Sequence, residues 1–126
     1  MFKELPAIFK PAIEASRYSD HPNHKMGAAI YYKNKFLSAG HNLVAKTHPI
    51  MVQLNSKKTT HAELAAILKI RHKQDLNGTT IAVYRANKQG ELALARPCPV
   101  CRELLRLHGV KWIVYTTPHG YTKERL

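Results

Sequence analysis

Acidic residues are scarce in this chain. Across 126 residues, eight Asp and Glu stand against twenty Lys and Arg, a formal net charge of +12. That balance favours polyanionic partners: nucleic acid, an anionic surface or phosphorylated small molecules. It also fits a basic surface that is merely solvated. Cysteine is scarcer still. The two present form one Cys-x-x-Cys, which excludes a disulfide framework and makes a reducing, cytoplasmic compartment the expectation. No run approaches the roughly 20 apolar residues of a membrane-spanning helix, so no membrane partner is expected. Residues 1–10 hold Glu4 and Pro6 and lack an apolar core, so they read as mature sequence, not a secretory leader. Internal repeats and low-complexity segments are also lacking. The apolar fraction of 44% suits one domain with a real core, spanning 1–126.

Periodicity supplies the elements. Residues 5–19 carry apolar side chains at helical spacing, with Pro11 demanding a kink or a later start. Residues 26–32 and 35–41 read as two strands joined at Lys33-Asn34. Residues 42–58 form a long polar loop. Residues 60–73 read as a helix, with Thr60 as N-cap and Glu63 three positions on. A strand over 79–86 follows Asn77-Gly78. Residues 91–95 are a candidate extension of the sheet. A helix starts near Pro97 or Cys98 and stops at Gly109. A last strand covers 111–116, ahead of a polar, basic tail, 117–126. The order predicts an α/β fold of the three-layer α/β/α kind. Its mixed sheet opens with an antiparallel hairpin, and the core spans 26–116.

Two short motifs carry chemistry: His61-Ala62-Glu63, and Pro97-Cys98-Pro99-Val100-Cys101. Both fall at predicted helix starts. Residues at i and i+3 share a helix face, so both thiols can reach one ion, and a helix N-terminus favours the thiolate. His61, Cys98 and Cys101 make three candidate zinc ligands. Structural zinc is normally closed by four protein ligands, whereas three leave a position for water, whose pKa zinc lowers towards about 7. Glu63, beside His61, is placed for general acid/base work. Three plainer readings stand beside this one. Glu63 is also a capping-box residue for Thr60, and the Cys pair also reads as a redox motif or half of a structural zinc knuckle.

The paired motifs resemble the cytidine and deoxycytidylate deaminase superfamily, whose signature is H-x-E followed by P-C-x-x-C. The resemblance covers about 26–116. It implies one catalytic zinc held by His61, Cys98 and Cys101, with Glu63 as proton shuttle. It also implies a sugar contact from Asn42, and base positioning by the backbone at Ala62 and Cys98. Members with a His-Cys-Cys set include deoxycytidylate deaminases, tRNA adenosine deaminases and polynucleotide cytosine deaminases. Arg96 stands where the tRNA adenosine enzymes commonly carry Glu, which lowers the adenosine reading.

The reaction expected is hydrolysis of cytosine to uracil. For the substrate, basic loops favour a polynucleotide, single-stranded DNA foremost or a base flipped from duplex. Lys33, Lys35, Lys46, Lys57, Lys58, Arg85, Lys88 and Arg96 lie in predicted turns or loops, several near the motif ends. His24, Lys46, Lys57, Lys58, Arg96 and Tyr121 are candidate nucleic-acid contacts, and Tyr115 is a candidate base-stacking residue. Free deoxycytidylate is the alternative substrate. A non-catalytic, zinc-stabilised nucleic-acid-binding module is the alternative from another class. Oligomeric state is not legible.

Overall fold

The computed structural model of the chain describes residues 5–19, 24–42, 62–68 and 76–126. A 3-10 turn, Ala7–Phe9, leads into helix α1, Lys10–Ser16. Pro11 falls in the first turn of α1, where its missing N–H has no intrahelical acceptor to lose. The later start, not the kink, is therefore the outcome.

Strands β1, His24–Tyr32, and β2, Lys35–His41, form the expected hairpin. Its turn residues Lys33 and Asn34 both have positive φ, 46° and 67°. That is the primed-turn geometry whose twist matches paired strands. Helix α2 is described over Ala62–Leu68; the Thr60 cap lies outside the described residues. Strand β3, Thr79–Asn87, helix α3, Pro99–Leu107, and strand β4, Val110–Thr117, follow near the expected bounds. Gly109, at φ 91°, ends α3 in a conformation that favours glycine.

The basic tail is a strand. β5, Gly120–Arg125, pairs antiparallel with β4 from Thr117↔Gly120 to Trp112↔Arg125. The tail lacks the apolar alternation that marks a strand in sequence. As an edge strand it is charged, which protects an open sheet edge from further pairing. Residues 91–95 contribute only an isolated bridge, Leu92↔Ala86.

The five-stranded sheet runs β2-β1-β3-β4-β5. β1 is antiparallel to both β2 and β3, and β3 is parallel to β4. Successive β3 residues alternate between faces. Ala82 packs with Phe9 and Val114 on the α1 side, with Tyr84 partly buried against them. Ile81 and Val83 pack on the opposite side with Ala62, Ala66, Leu105 and Ile113 of α2, α3 and β4. The three layers and the mixed sheet match the sequence-based expectation.

Two glycines set how closely the layers approach. A Cβ on Gly27 would lie 1.7 Å from the Ala12 carbonyl oxygen, so α1 can lie on β1 only because that position has no side chain. A Cβ on Gly40 would lie 2.5 Å from the Ala66 nitrogen, which fixes α2 against β2 in the same way. The Ser38 hydroxyl also donates to the Ala66 carbonyl at 2.6 Å.

Candidate active site

β2 and β3 are both antiparallel to β1, so they run in the same direction. α2 follows β2 and α3 follows β3, so both helices start at the carboxyl ends of strands. This is the end of an α/β sheet where ligands are bound. Cys98 is the N-cap of α3 in extended backbone, with Pro99 in the first turn. Cys101 then lies one turn in and is fully buried. From the start of α2, Ala62 is fully buried and Glu63 is 2% exposed.

These side chains meet. The Cys101 thiol is in hydrogen-bonding contact with both Cys98 and the Glu63 carboxylate. The Cys98 contact, burial and then the nearby Glu63 charge all push the Cys101 thiol well above the ordinary range. Two thiols and a carboxylate crowded together in a buried spot repel one another as they ionise. A dication reverses that penalty, because it stabilises each anion at once. Thiolate donors also suit zinc. The donor set therefore fits the metal that the sequence pattern implies. His61, the remaining member of the pattern, precedes Ala62 in sequence and lies outside the described residues. Among the described residues, no group of three or more His, Cys, Asp or Glu could hold a metal by itself.

The other sequence candidates separate. Asn42 is buried beyond the end of β2. Its Oδ1 accepts from the Met26 N–H at 2.9 Å and its Nδ2 donates to the His24 carbonyl at 3.1 Å. It thus ties the amino end of β1 to the residue that follows β2. His24 is the first residue of β1, half-buried at the same end. Tyr115 is 6% exposed within the α2/α3-side core. Its hydroxyl donates to Glu124 at 2.5 Å, so it is not an open stacking face. Tyr121 is 50% exposed, but its ring meets Phe9 on the α1 side, across the sheet from the thiols. Lys33, in the hairpin turn, and Lys35, just after it, lie at the end of the sheet away from the helix starts, not near the mouth. Lys46, Lys57 and Lys58 lie outside the described residues.

Arg96 is committed elsewhere. Its Nε and Nη2 donate to the two Glu124 carboxylate oxygens at 3.0 and 3.1 Å, a bidentate pair. Arg102 lies 3.6 Å from the same carboxylate. Glu124 on β5 therefore holds both residues that bracket Cys98 and Cys101 in sequence, and Tyr115 as well. Sequence reasoning missed Glu124. The signal available was one carboxylate in an otherwise basic tail, and its partners become visible only once β5 is paired with β4.

The hydrogen bond from Tyr115, then the Arg96 contact, hold the Glu124 carboxyl below its ordinary value of 4.5. A lowered folded-state pKa contributes stability that is present above about 4.5 and lost as pH falls through the folded value. Glu124→Gln keeps the shape and removes the charge. The wild-type advantage in melting temperature should be full at pH 7 and shrink as pH falls below about 4.5 and through the lowered folded-state value. An advantage constant over that range would show that Glu124 stabilises by packing alone.

Residues 3–117 match the family described as the cytidine and deoxycytidylate deaminase zinc-binding region. The chain belongs to the cytidine and deoxycytidylate deaminase family, whose members are hydrolytic deaminases. A search of curated proteins found no match. Among solved structures, the chain is similar to the dCMP deaminase of cyanophage S-TIM5 in its apo form. There the TM-score is 0.59 and the identity 22%, covering 86% of this chain and 79% of that one. It is also similar to the cytidine deaminase of Mycobacterium leprae, with a TM-score of 0.56 and 24% identity, over 90% and 87% of the two chains. The fold is that of these enzymes.

Proposed function

We propose that this protein hydrolyses cytosine to uracil within a polynucleotide strand, single-stranded DNA foremost. In this reading His61, Cys98 and Cys101 hold one zinc ion and Glu63 moves the protons. Zinc held there supplies the Lewis acidity that makes water a nucleophile near neutral pH. Glu63 accepts a proton as water adds to the amine-bearing ring carbon, then delivers it to the departing amine. One C–O bond forms, the exocyclic C–N bond breaks, ammonia leaves and a carbonyl remains. Burial of Ala62, Glu63 and Cys101 keeps bulk water from competing for those protons. The backbone at Ala62 and Cys98 positions the base, and Asn42, anchored on β1, reaches the sugar with its remaining N–H.

The observation that carries the deaminase reading is the convergence of Glu63 with both thiols at one end of the sheet. The strand reading rests on the charge of +12. A monophosphate needs only one or two cationic contacts, and a strand presents a phosphate at every nucleotide. A second reading, deoxycytidylate as substrate, is favoured by similarity to the cyanophage dCMP deaminase, which has been solved with dCMP and dUMP. That structure matches at a TM-score of 0.59 and 22% identity.

The test is a matched panel assayed with zinc: a cytosine-bearing single-stranded DNA, its duplex, the equivalent RNA, deoxycytidylate, and an adenine-bearing strand. Uracil in the single strand, read by sequencing and mass spectrometry, is the expected result. Turnover of deoxycytidylate with the strand untouched would replace this reading with the second. No turnover on any member would leave a non-catalytic binding module.

A further inference from the structure

Two surface clefts hold three cations each, and they differ in one respect. The first, about 400 Å³, is lined by Arg96, Arg102 and Arg106. All three are matched by carboxylates, two on Glu124 and one on Glu103. The second, about 560 Å³, is lined by Arg17, Lys25 and Lys88, with Ser16, Tyr84 and Asn87 between them. It has no carboxylate in its lining. Among the described residues, the ion pairs involve none of its three cations. The nearest acidic residues in sequence are Glu14, Asp20 and Glu91, of which Asp20 lies outside the described residues. Glu14 lines the neighbouring groove, and Glu91 accepts from the Asn87 side chain. Exposed cations gathered without counter-charges raise the local potential and draw an anion.

Its place in the fold adds to this. Lys88 follows the last residue of β3, and Lys25 pairs with Ala86. Arg17 caps the carboxyl end of α1. All three stand at the end of the sheet where α2 and α3 begin. Tyr84 packs on the α1 side, so the cleft opens on the face opposite the thiols. A base at the thiols and an anion in this cleft thus lie on opposite faces at one end of the sheet. A single phosphate is tied to that base by one sugar. Phosphates further along a strand can pass round that end of the sheet to the other face.

We propose that the Arg17, Lys25 and Lys88 cleft binds backbone phosphates of a single-stranded polynucleotide flanking the target base. This rests on the polynucleotide reading above and names where the strand runs. The three side chains act as phosphate contacts, and Tyr84 walls the cleft at its floor.

The experiment compares the whole protein with two triple variants of equal charge change. One is Arg17→Glu, Lys25→Glu, Lys88→Glu in the cleft. The other is Lys33→Glu, Lys35→Glu, Lys111→Glu at the opposite end of the sheet. All six residues are exposed, and circular dichroism checks that both variants fold. Binding of a cytosine-bearing single-stranded DNA is measured against salt, and turnover of that strand and of deoxycytidylate is measured alongside. Each phosphate contact on a single strand contributes about 0.7 to the log–log salt slope. The cleft variant should therefore bind more weakly with a slope shallower by about 2, while any deoxycytidylate turnover stays unchanged. The distal variant should keep most of the slope. Equal losses in both variants would reduce the effect to net charge and overturn the cleft. So would a cleft variant that binds and deaminates the strand like the wild type, with the polynucleotide reading left standing. A wild type that turns over deoxycytidylate yet neither binds nor deaminates the strand would overturn both.

Discussion

Glu63→Gln should lower deamination turnover by about 10²- to 10⁴-fold, the span attributed to a positioned general acid/base. Zinc content and melting temperature should stay at wild-type values. Glu63 is 2% exposed and in hydrogen-bonding contact with Cys101. Gln has the same length and keeps hydrogen-bonding groups there, so packing is preserved. What it loses is the ability to take up and return a proton. It also loses a negative charge beside Cys101, one of the contributions that push that thiol up, so the thiol ionises more readily and metal binding is not weakened. The measurements are single-turnover rates on the reactive substrate, metal analysis and thermal melting. Undiminished turnover would end the acid/base assignment. Loss of zinc together with activity would recast Glu63 as part of the metal's own binding set.

Gly40→Ala should be as informative from further away. Its added methyl would sit 2.5 Å from the Ala66 nitrogen, 2.7 Å from the Ala65 carbonyl carbon and 2.8 Å from the Ala65 Cβ. Two of those neighbours are backbone, which cannot rotate aside, so α2 must shift away from β2. The Ser38–Ala66 hydrogen bond on the same contact resists that shift. Overpacking of this kind costs about 1–3 kcal/mol. The shift also reaches the site, because Ala62 and Glu63 are carried on the same helix. A displacement of about 1 Å at a catalytic group can cost roughly 10²-fold. Denaturant melts and kcat/KM should fall together. The double variant Gly40→Ala, Ala65→Gly removes the Cβ contact alone and should recover only part of each. Stability and turnover both at wild-type level would show that the α2–β2 approach is not tight.

These two residues were unequally visible beforehand. Glu63 stood out because its residue type and its spacing from His61 are local facts. Gly40 looked like any glycine near a strand end, because the α2 backbone that forbids a Cβ there comes from residues more than twenty positions away. Asn42 lies between these cases. Its place after β2 was legible, and the use of its amide on Met26 and His24 was not.

What the sequence determined alone is what depends on neighbours along the chain. Periodicity and turn residues set the hairpin at Lys33-Asn34, the strands β1 to β4 and the stop at Gly109, since backbone preference and side-chain alternation act over a few residues. The paired His-x-Glu and Pro-Cys-x-x-Cys motifs marked the reaction class in the same way. The tertiary structure decided which distant charges meet. It turned the basic tail into β5 and put Glu124 onto Arg96, Arg102 and Tyr115, withdrawing the arginine and the tyrosine that composition offered to a substrate. On the other face it left Arg17, Lys25 and Lys88 outside the ion pairs found among the described residues. Net charge is a sum over residues, whereas the charge a ligand meets depends on which carboxylates the fold has brought against which cations.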